Sequence, residues 1–129
     1  MKKIWINGCF DVLHRGHIEL FKFAKSKGDY LVVGIDSDER VRKNKGHTRP
    51  INNVQDRKFF LEAIECVDEV VTFSSDSELI KAIKNCKPSY MVIGSDWEGK
   101  TVIGAEHAEQ LLFFERVGDY STTNILESR

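Results

Sequence analysis

The chain has 129 residues, the length of one ordinary domain, which can bury a core without help from disulfides or metal. Its 19 Lys and Arg against 20 Asp and Glu leave a net charge of −1, so no overall basic field exists to hold nucleic acid or an anionic membrane. Any anion must be met by a local cluster.

The longest apolar stretches, such as residues 31–35, fall far short of the roughly 18 residues that read as a membrane span. The start of the chain meets Asn7, Gly8 and Asp11 before a secretory apolar region can develop, and a cytoplasmic protein is expected. Cys9, Cys66 and Cys86 have no CxxC spacing, so neither a disulfide framework nor a structural zinc site is indicated. They read as small, mostly buried apolar residues. No Pro/Gly/Ser-rich linker divides the sequence, and residues 1–129 are expected to form one domain.

In chain order, β-branched and aromatic runs predict strands at Lys3 to Ile6, Tyr30 to Ile35, Glu69 to Phe73, Ser89 to Ile93 and Leu111 to Phe114. Helical periodicity fills the gaps. The first helix runs from about Gly16 to Ser26 with Ile18, Leu20, Phe21 and Ala24 inward; a second, about Gln55 to Cys66, carries Phe60, Leu61 and Ile64; a third carries Leu79, Ile80 and Ile83. Ser75 and Glu78 have the spacing of a capping box for that third helix. Near-continuous apolar strands alternating with helices imply a parallel sheet covered on both faces, a doubly wound, Rossmann-like α/β fold.

An internal echo marks one edge of that sheet. Residues 30–36 (YLVVGID) and 90–96 (YMVIGSD) share an aromatic, three apolar residues, Gly, one residue and Asp, and the first strand runs out through Gly8 to Asp11. In an open parallel sheet ligands bind beyond the carboxyl ends of the strands, where Gly admits close backbone approach. Turn formation alone accounts for any one of the three; together they favour a site.

The strongest local signal is Gly8, Cys9, Phe10 and Asp11 followed by His14-Arg15-Gly16-His17, between the first strand and the first helix. Two histidines three apart with Gly16 between them can project from one turn, and the free N–H groups of the helix start attract anions. Such a pair can donate hydrogen bonds to a phosphoryl group and to charge that grows there during displacement. A lone histidine would more often be a cap or a packed residue. Zinc would need ligands that no nearby Cys or carboxylate pair supplies, and the dinucleotide fingerprint GxGxxG is absent.

At these residues the sequence resembles the cytidylyltransferase-like nucleotidyltransferase superfamily, whose signature is an HxGH motif in this turn. The resemblance spans essentially the whole chain and is nearest to two branches, the glycerol-3-phosphate cytidylyltransferases and the adenylyltransferase domain that makes ADP-heptose. Residues 94–100 (GSDWEGK) are similar to the glycerol branch, whereas Cys9 and residues 45–50 (KGHTRP) look more like the heptose branch; Ser121, Thr122 and Thr123 are common to both. The resemblance implies transfer of a nucleoside monophosphate from a nucleoside triphosphate to a phosphate-bearing acceptor, with loss of pyrophosphate, and commonly a homodimer. Weighting the Asp96 to Lys100 run above Cys9 gives CTP and a glycerol-phosphate-like acceptor as the leading expectation, with ATP and a heptose 1-phosphate as the alternative. Magnesium is expected with the nucleotide.

The residues fit that chemistry. A phosphate acceptor is already an anionic nucleophile, so alignment and charge stabilisation suffice. The resemblance assigns His14 and His17 to the triphosphate and Asp11 to orienting the turn or assisting magnesium. Arg40, Arg42, Lys43, Lys45 and Arg49 crowd the segment after the second strand; Lys45 best matches a family lysine that closes over the reacting phosphates, and most of the others read as a solvated helix face. Asp38 is expected either at acceptor hydroxyls or as a helix cap, and Arg57 matches a family arginine that reaches into the site. Gly94, Asp96 and Trp97, together with the loop from Arg116, lie beyond predicted strand ends and are candidates for reading the base and the acceptor. Arg116 precedes Ser121, Thr122 and Thr123, a hydroxyl-rich helix start suited to the β- and γ-phosphates. A nucleotide-binding module without turnover is the rival of another class. A nucleic-acid role is disfavoured by the neutral charge and by Phe59 and Phe60, which sit at core spacing.

Overall fold

The computed structural model describes residues 1–115. Strand β1 (Lys3–Gly8) leads into helix α1 (Arg15–Lys25), then β2 (Tyr30–Asp36), α2 (Asp38–Lys45), α3 (Val54–Glu62), β3 (Glu69–Phe73), α4 (Asp76–Cys86), β4 (Tyr90–Gly94) and β5 (Gln110–Phe114). Short 3-10 turns occupy Ser95–Trp97 and Ala105–His107. All described strand pairings are parallel, in the order β3-β2-β1-β4-β5. The chain steps from β1 outward to β2 and β3, then crosses back to β4 on the other side of β1. That reversal puts the topological switch point at the carboxyl ends of β1 and β4.

Alternation along β1 divides the core. Ile4 and Ile6 face one layer with Phe21 and Ala24 of α1 and Leu61 of α3, while Trp5 faces the other with Leu79 and Ile83 of α4. Gly34 in β2 is required by this packing: a Cβ there would lie 2.6 Å from the Trp5 ring. The all-parallel sheet flanked by helices is the Rossmann-like architecture expected from the sequence.

Several local expectations change. The helix expected over 55–66 ends at Glu62, and Phe59 and Phe60, read as core, are 69% and 45% exposed. The reason is that α3 buries only Arg57 and Leu61, one turn apart, and leaves its next two aromatics on the outer face. Ser75 caps α4 through its side chain to the Glu78 N–H, but the Glu78 carboxylate accepts from Ser74 rather than from the cap residue itself. Helix α2 forms where only a cluster of charge was visible. Ser37 caps it by accepting from the Arg40 N–H, and Val41 is its single buried residue. Among the described residues no helix is long and apolar enough to cross a membrane.

Candidate active site

A cleft of about 520 Å³ opens at the carboxyl ends of the strands. The β1–α1 turn supplies Gly8, Cys9, Phe10, Asp11, His14, Gly16 and His17; β2 and α2 supply Asp36, Arg40, Asn44 and Lys45; Arg49 follows; and the segment after β4 supplies Gly94, Asp96 and Trp97. Its volume falls in the usual range for small-molecule sites.

The turn is built tightly. Gly8 is small because the Phe10 ring folds back over it, 3.1 Å from where a Cβ would stand. Phe10 itself takes a φ of 49°, a left-handed conformation that costs a non-glycine residue about 1–2 kcal/mol. Its ring is held edge-on against Phe21 and His17. Burial pushes the Cys9 thiol above its ordinary 9.0, against the pull of the Arg57 and Lys45 charges, which disfavours the thiolate.

His14 is the N-cap of α1, and its Nδ1 accepts the Gly16 N–H at 3.0 Å. His17 reciprocates: its Nδ1 accepts the His14 N–H at 3.1 Å. A nitrogen that accepts an N–H carries no proton, so each neutral ring holds its proton on Nε2, as a donor. The Gly16 amide, read from the sequence as free for an anion, is therefore spent on the cap. What the helix start offers in its place is a pair of oriented imidazoles.

Asp11 is 2% exposed, and both carboxylate oxygens are engaged. Oδ2 accepts from Arg49 Nε and the Ile51 N–H, Oδ1 accepts from the Asn52 N–H, and Asn52 Nδ2 donates back to the Asp11 carbonyl. The residue orients chain, fastening the loop beyond α2 to the β1–α1 turn. Among the described residues no three His, Cys, Asp or Glu come together as a metal-holding group.

Arg57 and Asp38, both expected at the acceptor, pair with each other. Arg57 is 0% exposed and donates to the carbonyls of Asn52, Cys9 and Asp36 and to Asp38 Oδ1. It lies beneath the site and ties the ends of β1 and β2 together, outside the cleft lining. Asp38 is its ion-pair partner at 2.7 Å and is not among the residues lining the cleft, whereas Asp36, two residues earlier, is. Arg42 and Lys43 are exposed and do not line the cleft. Arg116, Ser121, Thr122 and Thr123 lie outside the described residues. Sequence reading missed Asn7, Asn44 and Thr101 as cleft residues; Asn44 could be found only once α2 was known, since it lies one helical turn beyond Arg40.

Strand order, switch point and an imidazole-bearing helix start define a doubly wound α/β class with its cleft at the carboxyl ends of the strands. The profile of the cytidylyltransferase-like family matches residues 5–127, and the chain belongs to that family, within the nucleotidyltransferase superfamily. It is 47% identical over 98% of its length to the bifunctional protein HldE of Sulfurimonas denitrificans, and 43% identical over 98% to that of Helicobacter hepaticus. The chain spans about a quarter of those relatives, 26% in each. Among solved structures it is similar to a lipopolysaccharide core biosynthesis protein from Thermoplasma volcanium, with 25% identity and a TM-score of 0.72, covering 91% of this chain and 98% of that one. Pantothenate synthetase from Thermus thermophilus shares the fold at 12% identity and a TM-score of 0.67, over 97% of this chain and 61% of that one.

Proposed function

We propose that the chain transfers AMP from ATP to the phosphate of a heptose 1-phosphate, releasing pyrophosphate. The observation that carries this reading is the 47% identity to HldE over 98% of the chain. In this reading the HldE proteins are the heptose branch that Cys9 and residues 45–50 resemble, and the likeness to a lipopolysaccharide core biosynthesis protein supports a sugar-phosphate acceptor. Weighting the Asp96 to Lys100 run above Cys9 favours CTP and glycerol 3-phosphate; the relatives weigh the other way.

An oxygen of the acceptor phosphate forms a bond to the α-phosphorus. The bond from that phosphorus to the bridging oxygen breaks, and the electron pair leaves with pyrophosphate. No side chain needs to act as nucleophile. His14 and His17 donate from Nε2 to the α-phosphate as charge builds on it, and Lys45, at the end of α2, neutralises the reacting phosphates. Magnesium, in this reading, comes with the triphosphate and offsets charge on it. A homodimer remains part of the proposal, to be measured by light scattering.

The test is pyrophosphate release from ATP and from CTP, each paired with heptose 1-phosphate and with glycerol 3-phosphate. ATP with heptose 1-phosphate should be fastest. A faster CTP and glycerol 3-phosphate pairing would restore the glycerol reading, and no release from any pairing would favour a binding module without turnover.

A further inference from the structure

We propose that Arg49 is a second catalytic cation of this site, gripping the phosphate of the acceptor, and that Asp11 is the residue that positions it. The proposal rests on the nucleotidyltransferase reading above.

Three arginines stand near the strand ends, and the structure uses them differently. Arg57 is wholly buried and spends itself on three carbonyls and Asp38. Arg40 is spent on Asp36 through Nε and on Asp76 through a terminal nitrogen. Among the described residues the Arg49 side chain hydrogen-bonds only to Asp11, through Nε at 3.1 Å. Its side chain is 14% exposed, and it lines the cleft. Both terminal nitrogens of its guanidinium therefore remain available to a cleft ligand. Among the described residues, no other cation of the cleft combines partial burial, a fixed anchor and two unspent terminal nitrogens.

The anchor is rigid. Asp11 is itself fixed by the Ile51 and Asn52 amides, and Asn52 closes the ring onto the Asp11 carbonyl. An arginine held at Nε presents its terminal nitrogens as a planar fork, the geometry that matches two oxygens of a phosphate. A largely buried cation at the lining of a cleft calls for an anion there.

The acceptor phosphate is that anion. The α1 start and its imidazoles stand at the switch point between β1 and β4, where the nucleotide belongs. Arg49 follows β2 and α2, four residues beyond Lys45, and is tied to the β1–α1 turn through Asp11. A fork on two acceptor oxygens leaves the third to attack the α-phosphorus while Lys45 offsets the charge between the two anions. The arginine thereby aligns the nucleophile as well as binding it.

Arg49→Gln and Arg49→Lys would be compared with the parent chain by steady-state pyrophosphate release, and by titrating inorganic phosphate against the fluorescence of Trp97, which lines the same cleft. Loss of a charge-assisted contact should raise the acceptor KM in Arg49→Gln by about 10- to 100-fold, with the ATP KM within about threefold and partial recovery in Arg49→Lys. Phosphate binding should weaken in parallel. A merely structural arginine would move both KM values together and leave phosphate binding unchanged, and either result overturns the proposal. The phosphate titration needs no turnover, so a parent chain that releases no pyrophosphate would refute the proposed reaction, while equal phosphate binding by parent and variants would refute the role of Arg49.

Discussion

His14 and His17 lie with their ring centroids 3.8 Å apart and 31° between planes, and each uses Nδ1 to accept a backbone N–H of the same turn. One atom of each imidazole thus holds the helix start, and the other nitrogen is turned into a donor. Structure and chemistry can be separated by substitution. His14→Ala should lower stability by about 1 kcal/mol, the typical value of an N-cap, and turnover on the order of 10²-fold. His14→Asn, which keeps a good cap but lacks an Nε2 donor, should recover the stability in chemical denaturation while turnover stays low. Recovery of both would show that His14 acts only as a cap.

Lys45 lines the cleft, whereas Arg42 and Lys43, on the same short helix, do not. A cation that meets charge formed during displacement acts more in the transition state than in the ground state. Lys45→Ala should therefore depress kcat by at least about tenfold with a smaller change in ATP KM. Arg42→Ala and Lys43→Ala should leave both within about twofold. A variant of Lys43 as damaging as that of Lys45 would mean that α2 turns on substrate binding to present another face.

The strands were legible because runs such as residues 30–35 are apolar on both faces, and the first helix because Phe21 and Ala24 recur on one side. Helix α2 was hard to read for the converse reason: with Val41 as its only buried residue, it has no apolar stripe. Phe59 and Phe60 misled because aromatic identity suggests burial, yet exposure is decided by where the helix rests, and α3 rests on Arg57 and Leu61. The histidine pair was visible as a motif; its reciprocal capping was not, since spacing says nothing of which nitrogen accepts. Asp36 and Asp38 could not be told apart either, because only the fold reveals that Arg57 claims the latter.

Arg57 carries a testable consequence for stability. Its partners are buried carbonyls at the ends of β1 and β2 together with Asp38. Truncation leaves those acceptors without a donor and the carboxylate without its ion pair. Arg57→Ala should destabilise by about 3–5 kcal/mol, measured by urea unfolding. Asp38→Asn, at a partly exposed position that keeps a side-chain oxygen as acceptor, should cost less. A stable Arg57→Ala protein with a selectively raised acceptor KM would return Arg57 to the substrate.

Alkaline pH offers a second stability test. Burial pushes the Cys86 thiol from an ordinary 9.0 up to about 11, with Lys3 lowering it and Glu69 raising it further. Between those values the unfolded chain has released its proton while the folded chain still holds it. Stability contributed by the neutral thiol is thus complete below pH 9 and falls as pH rises toward 11. Cys86→Ala should flatten the decline in urea midpoints over that interval. An unchanged slope would assign the decline to other groups.

Gly94 closes β4 at the switch point, and its φ of −62° and ψ of 147° are open to any residue. Space, then, and not backbone freedom, is what excludes a side chain: a Cβ there would stand 2.6 Å from Asp96 Oδ1. Asp96 is an exposed residue of the cleft, so its carboxylate can swing aside, and the fold should tolerate Gly94→Ala within about 0.5 kcal/mol. Nucleotide binding should suffer if the carboxylate is used where it now lies. Gly94→Ala and Asp96→Ala should each raise the nucleotide KM severalfold, and the double variant should be no worse than Asp96→Ala alone, because contacting residues that serve one interaction are not additive. Additive losses would show that the glycine serves the nucleotide directly, by letting the backbone of the strand end approach it.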